Sequence, residues 1–261
     1  NFSFTATINR ADFSSLGWIP ESITGNFSGD IDLALQGNTI DEMIGDLYIE
    51  QGKLVTPQKT HVFSAVAAQS RLVNGVRVIN LSSEDIASGL MIGKFKPTEL
   101  SKLIQNALGS QYKNFIPYEV SPGQYVDFNF NIKDKIATAL LGEDISIDDN
   151  TFIKGKINPN EELFKISFLA PRLLVKNTVF TNTTLQIDTK NPLYHSLLTV
   201  DALTSNETHF TNINWINSKI KDKLYGRIEF SSANTPENTN QFNTSFTINE
   251  KSEMLLVIQS A

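Results

Sequence analysis

Three histidines, His61, His195 and His209, are the chain's whole supply of imidazole, and none stands at a spacing that catalysis uses. A zinc hydrolase carries two histidines one helical turn apart in H-E-x-x-H, and a serine hydrolase sets its nucleophile on a G-x-S-x-G elbow. Neither pattern occurs, and no G-x-G-x-x-G or Walker sequence is present to cradle a phosphate. With no cysteine at all, a thiolate nucleophile, a sulfur metal site and a disulfide scaffold are excluded together. Oxygen ligands crowd most densely at Asp144, Asp148, Asp149 and Asn150, but this run lacks the central glycine and closing glutamate of a calcium loop. It reads as a polar turn, as do Glu161 and Glu162 after Pro159-Asn160. The expectation is a protein that is not an enzyme, with no catalytic residue, cofactor or metal.

Charge narrows the partners further. Lys and Arg number 22 against 28 Asp and Glu, a net charge of −6, and no run of like charges is long enough to neutralise a phosphate backbone. Nucleic acid is therefore not an expected partner. What remains for binding is apolar: 17 Phe, 6 Tyr and 2 Trp, most of the phenylalanines at alternating positions. Half-buried core is the plain reading of those phenylalanines, and the lining of a lipid-accessible groove is the sharper one. Trp18 and Trp215 read as packing residues, with Trp215 and Ile213 placed to sit at a rim.

Period-two alternation is the main message of the elements that carry these residues. Phe27, Ile31, Leu33 and Leu35 share one face of a strand, and Asp127 to Lys133 alternates without exception. Phe164/Ile166/Phe168, Leu185/Ile187, Leu198/Val200/Ala202, Ile228/Phe230 and Phe242/Phe246/Ile248 repeat the device. Short breakers such as Asn74-Gly75, Asn158-Pro159-Asn160 and Asn191-Pro192 separate them, the spacing of an antiparallel meander. One helix is predicted over 97–109, from Pro97 at a first-turn position through the stripe Leu100, Leu103, Ile104, Ala107 and Leu108 to Gly109. Weaker helical turns are predicted at Asp12 to Leu16, Ile40 to Ile44 and Asp134 to Leu141. The longest purely apolar run, Met254 to Ile258, is far short of the roughly 20 residues of a membrane-spanning helix. Residues 1–115 and 116–261 read as two stretches of one continuous sheet, with no linker demanding separate domains.

An apolar face on so many consecutive strands has two physical solutions. A barrel or sandwich buries the faces against each other, whereas an open trough leaves burial to a non-protein guest. Alternation alone does not choose between them.

The run Gly29 to Gly45, with Asp30-Ile31-Asp32-Leu33-Ala34-Leu35 followed by Gly37-Asn38, resembles the repeat of AsmA-like and TamB-like envelope proteins. Gly75-Val76-Arg77-Val78-Ile79, Ser88 to Phe95, Leu103 to Leu108, Val126 to Phe130, Asn150 to Ile157 and Ile187 to Tyr194 are similar to the form TamB takes in Bacteroidota. The resemblance covers most of the chain and rests on the number and order of these segments. It implies a mainly β protein: an elongated antiparallel sheet curled into a taco-like apolar trough, with a few short helices. It also implies a piece of a longer periplasmic protein, anchored in the inner membrane, that offers phospholipid acyl chains a groove between the membranes. Support of outer-membrane protein assembly is implied too, through an Omp85-type barrel met by other parts of the full-length protein.

On that reading the groove is lined by the inward strand positions Ile31, Leu33, Leu35, Phe128, Phe130, Ile132, Ile153, Ile157, Phe164, Ile166, Phe168, Leu185, Ile187, Leu198, Val200, Ile228, Phe230, Phe246 and Ile248. Covering a methylene is worth about 0.8 kcal/mol, so a sixteen-carbon chain costs on the order of 12 kcal/mol in water unless something shields it. The rival expectations are a chaperone-like scaffold that binds protein strands by β-augmentation and a plain structural β-domain with a closed core.

Overall fold

The computed structural model describes residues 2–12, 26–56, 59–110, 115–206, 208–220, 223–232, 235–248 and 254–260. Alternating sequence becomes strand almost throughout. The first stretch holds β1 (Phe2–Asp12), β2 (Asn26–Gln36), β3 (Ile44–Val55), β4 (Thr60–Val62), β5 (Val66–Val73), β6 (Val76–Ser83) and β7 (Ala87–Lys94). A 3-10 turn at Pro97–Glu99 then leads into α1 (Leu100–Gly109). After β8 (Tyr125–Ile132) come α2 (Asp134–Leu141), β9 (Ile145–Ile147), β10 (Thr151–Asn158), β11 (Leu163–Val175) and β12 (Thr178–Asp188). The chain continues through β13 (Ser196–Ser205), β14 (Thr208–Ile220), β15 (Lys223–Ser232), β16 (Thr235–Ile248) and β17 (Met254–Ser260).

All pairings are antiparallel and nearly all join neighbours in sequence, as short turns require. Two strands are interpolated. β4 and β5 share one edge of β3, and β9 pairs with the far end of β11 beyond the reach of β10. The β7–β8 and β8–β10 pairings carry the sheet past α1 and α2 without interruption. The described pairings do not join β17 to β1, so the 17-stranded sheet is open.

The expected curl into a taco is therefore realised only as the long antiparallel sheet, which is neither closed nor strongly curled. Curvature needs repeated bulges or glycine kinks, and among the described residues the register shifts at four places, in the β1–β2, β2–β3, β14–β15 and β15–β16 pairs. The chain exposes 15522 Å², where a compact monomer of its mass, 29.0 kDa, exposes about 11,400 Å².

Among the weaker helical turns, Asp134 to Leu141 forms as α2, stopped at Gly142 where φ is +101°. Ile40 to Ile44 is a turn closed by the Glu42 and Met43 amides on the Thr39 carbonyl, and β3 starts at Ile44. Asp12 ends β1, and the rest of the turn expected up to Leu16 lies outside the described residues, as does Trp18.

Candidate functional site

Register decides which side chains share a face, because successive residues of a strand point to opposite sides. From β2 to β5 a cross-strand row runs Leu33, Leu47 and Ala68, and it continues through Leu81 and Gly89 to Phe130 on β8. The same row goes on as Ile153, Phe168, Leu185 and Leu198, then Trp215, Ile228 and Phe242 on β16. A parallel row holds Leu35, Ile79, Met91, Phe128, Ile166 and Ile187, with Gly155 between Phe128 and Ile166. Gly155 is required there, since a Cβ would stand 2.5 Å from the Phe128 ring and 2.7 Å from Ile166 Cδ1.

The register thus brings the expected groove positions onto one face, apolar along the first row, while the second passes Ser70 and continues beyond Ile187 as Ser196, Asn217, Gly226 and Thr244. Ile31, Ile132 and Val200 flank the first row on their own strands, and Ile157 and Phe164 extend the second towards α1. Phe246 pairs with Leu224, and Ile248 with Met254; the side chains of Phe246 and Ile248 lie outside the described residues. The opposite face is mostly polar over β8 to β12, interrupted by the paired Phe152 and Leu169. There Lys156 meets Asp127 at 3.2 Å in solvent, and exposed Lys165 meets the half-buried Asp188 at 2.9 Å, both cross-strand ion pairs.

Two helices lie on the apolar face, and they change the role of several positions. Leu103 of α1, only 1% exposed, packs with Phe95, Val126, Ile157 and Phe164 in a dry cluster. Ile157 and Phe164 are therefore core beneath α1 and not an open lining. Val200 is buried as well. α2 lies at the other end of β8, about 20 Å away along the strand, and covers Phe130, Ile132, Ile153 and Phe168 around a cavity. From β12 to β16, α1 reaches only the near end, where Ile187 packs against its cluster and Lys219 donates to the Ser110 carbonyl at 2.9 Å; farther along, Leu185, Leu198, Ile228 and Phe230 are half-buried. Aromatic contacts tie that flank together, Phe230 lying edge-on to Phe210 at 5.0 Å and stacked with Phe242 at 5.9 Å.

Polar side chains bolt α1 in place. The Glu99 carboxylate accepts from the Ser121 amide at 2.6 Å, the Ser121 hydroxyl at 2.9 Å and Gln124 Nε2 at 2.7 Å. Those donors, the Ser121 amide foremost, hold its pKa down to about 2. Asp41, in the β2–β3 turn, accepts from the Thr98 amide at 3.0 Å. Arg77 reaches the same turn from β6: it is buried on the apolar face, and it donates to the Met43 carbonyl at 2.6 Å and to the Asp41 carbonyl. Burial lowers its pKa, against the pull of Asp41.

The histidines do not meet. His61 is buried beside Glu143 at 3.9 Å, and exposed His209 shares a hydrogen bond with Thr204 at 2.8 Å. His195 Nδ1 accepts the Lys219 amide at 3.2 Å, and burial followed by the Lys219 charge lowers its pKa. Among the described residues no three His, Asp or Glu side chains gather as a metal site. Asp148 instead caps Asn150 at 2.7 Å, and Asp134 and Asp149 tie α2 to the β9–β10 turn.

Leu47, Ile79, Leu81, Met91, Trp215 and Phe242 belong to the apolar face but escaped the sequence reading as lining residues. The L-x-I pair at Leu47/Ile49 and the I-x-L pair at Ile79/Leu81 were signals for some of them. No family model, curated protein or solved structure matches this chain.

Proposed function

We propose that this chain is a carrier segment that shields hydrocarbon chains of lipids along an apolar sheet face. The observation that carries the reading is the unbroken cross-strand row from Leu33 to Phe242, which stays half-buried on the flank beyond β11. A soluble protein rarely leaves a contiguous apolar face this long to water without a ligand or partner for it. Apolar contact is non-directional, so a chain can shift from one strand to the next without a chemical step, nucleotide or metal.

The resemblance to TamB-like and AsmA-like envelope proteins supports the same reading and adds its setting: phospholipid movement through the periplasm as part of a longer, inner-membrane-anchored protein. In those families a curled trough encloses the cargo. Here the sheet is open, and the cargo itself, with α1 and α2, completes the cover.

The test is phospholipid transfer between donor and acceptor vesicles by the purified chain, with lipid extraction and mass spectrometry of the same sample. Leu198→Asp and Ile228→Asp place a charge in the row and are expected to stop transfer while the fold persists. Undiminished transfer by these folded variants contradicts the carrier.

A second reading has its own observation. Among the described residues β17 pairs only with β16, and Leu255, Leu256, Val257 and Ile258 are exposed on both of its faces. An unpaired apolar edge is a template for another strand. That reading, a scaffold for protein strands, predicts peptide adducts at Val257 in place of lipid adducts at Leu198.

A further inference from the structure

The flank that carries the apolar row changes character towards α1. Alternate residues of a strand share a face about 7 Å apart, and on β14 one face runs Trp215, Asn217 and Lys219. Across the strands Trp215 stands in the apolar row of Leu185, Leu198 and Ile228, whereas Asn217 stands between Ser196 and Gly226. One row farther, Lys219 borders a hollow at the C-terminal end of α1, together with Ala107 of that helix and with Lys190 and His195 of the β12–β13 connection. An apolar, a polar and a cationic band therefore follow one another over about 13 Å. The step from the polar to the cationic band is about 7 Å, against roughly 5–8 Å for the headgroup layer of one bilayer leaflet.

Charge selects what the hollow holds. Two lysines, Lys190 and Lys219, border it against one carboxylate, Glu162, which leaves a formal charge of +1 in a chain whose net charge is −6. Lys219 Nζ spends one proton on the Ser110 carbonyl, and the Lys190 ammonium has no hydrogen bond or ion pair among the described residues. His195 Nδ1 accepts the Lys219 amide, so the neutral ring carries its proton on Nε2 as a further donor. The other polar groups at the border are committed: the Thr189 hydroxyl joins the Glu162 carbonyl to the Phe164 amide, and Asn106 brackets the Tyr118 backbone. Apart from Glu162, the side-chain groups left over are thus donors. Point-like donors held on separate elements suit a tetrahedral oxyanion, whose oxygens face several directions, better than a planar carboxylate, which a guanidinium fork matches.

We propose that this hollow holds the phosphate of an amphiphile whose hydrocarbon lies on the apolar row of the flank. The assignment rests on the carrier reading and gives the cargo a direction, head at the end of α1 and tail away from it.

The experiment titrates the purified chain with dihexanoyl phosphatidic acid, below its aggregation concentration, while nuclear magnetic resonance follows the His195 ring. Burial and then the charge of Lys219 hold the His195 pKa low, and a bound anion is expected to raise it by joining Glu162 against Lys219 and Lys190. Lys219→Gln is expected to weaken binding about tenfold. Lys190→Gln, whose side chain has no bonded partner to lose, is expected to weaken it several-fold and covers the case of an unfolded Lys219→Gln. Glu162→Gln is expected to tighten binding several-fold, a gain that damage to the fold does not produce. Lysine variants that bind as the wild type does, or a folded wild type whose His195 does not respond, overturn the phosphate site, and vesicle transfer then judges the carrier separately. Inorganic phosphate that binds as tightly as the amphiphile overturns the headgroup assignment. Unchanged binding in Leu198→Asp, with loss in the lysine variants, overturns the placement of the tail, which is the failure of the carrier and not of the lysines.

Discussion

Between β6 and β11 the apolar face of the sheet is roofed by α1 and α2, whereas from β12 to β16 the described helices touch it only at the α1 end, through Ile187 and Lys219. The cross-strand row is continuous through both regions, so the difference lies in what the connections insert. Long connections after β7 and β8 return to the sheet as helices with apolar stripes. Beyond β12 only a few residues separate consecutive strands, too few for a helix. The middle is therefore buried under helices, while on the flank Val200 is buried and Leu185, Leu198, Ile228 and Phe230 are only half-buried.

The largest expected contrast comes from placing a charge in each region. Leu103→Asp buries an unpaired carboxylate under α1 and is expected to cost more than about 4 kcal/mol in denaturant unfolding. Leu198→Asp is expected to cost about 1 kcal/mol, because its carboxylate keeps access to water on the half-buried flank. Equal losses would erase the distinction between the regions.

Truncation gives a smaller version of the same contrast. Leu103→Ala is expected to lose about 2–5 kcal/mol through the cavity it leaves. Leu198→Ala, lacking that cavity, is expected to lose about 1 kcal/mol, read from the same denaturation curves.

Acid tests the α1 anchor of the middle region. Glu99 titrates at about 2 when folded, against 4.5 as its ordinary value. A carboxylate with a depressed folded pKa contributes stability above its unfolded pKa and loses it as pH falls through the folded one. The α1 anchor is thus expected to weaken between about pH 4.5 and pH 2, and Glu99→Gln to flatten that part of the stability profile measured by circular dichroism. A variant with an unchanged profile would remove Glu99 from the account. The smallest effect is expected on the opposite face, where Lys165→Ala removes the exposed lysine from its pair with Asp188 and is expected to change stability by about 1 kcal/mol.

Much of this was legible because alternation is local. Asp127 to Lys133 reads as a strand without help from any other residue, and the stripe after Pro97 reads as a helix for the same reason. Register between strands was not legible, and it is register that aligns Leu198 with Trp215 and Ile228. The burial of Ile157 and Phe164 was likewise hidden, since the residue covering them, Leu103, arrives from more than fifty residues away. Glycines concealed part of the face. Gly89 stands in the row where an apolar side chain would be looked for, because a Cβ there would strike the Asn129 carbonyl. Arg77 carries a charge at an apolar position, and only the turn carbonyls of Asp41 and Met43 explain it. The sheet's openness was hidden too, since a closed core and an open face carry the same alternation.

The central claim is that the bare flank holds hydrocarbon on its apolar face. Photocrosslinking residues at Leu198 and Ile228, compared with Thr199 and Glu229 on the opposite face, test it most directly in cells making the protein. Lipid adducts confined to Leu198 and Ile228 are the predicted result. Adducts to protein alone, or none at either face of a folded chain, would contradict it.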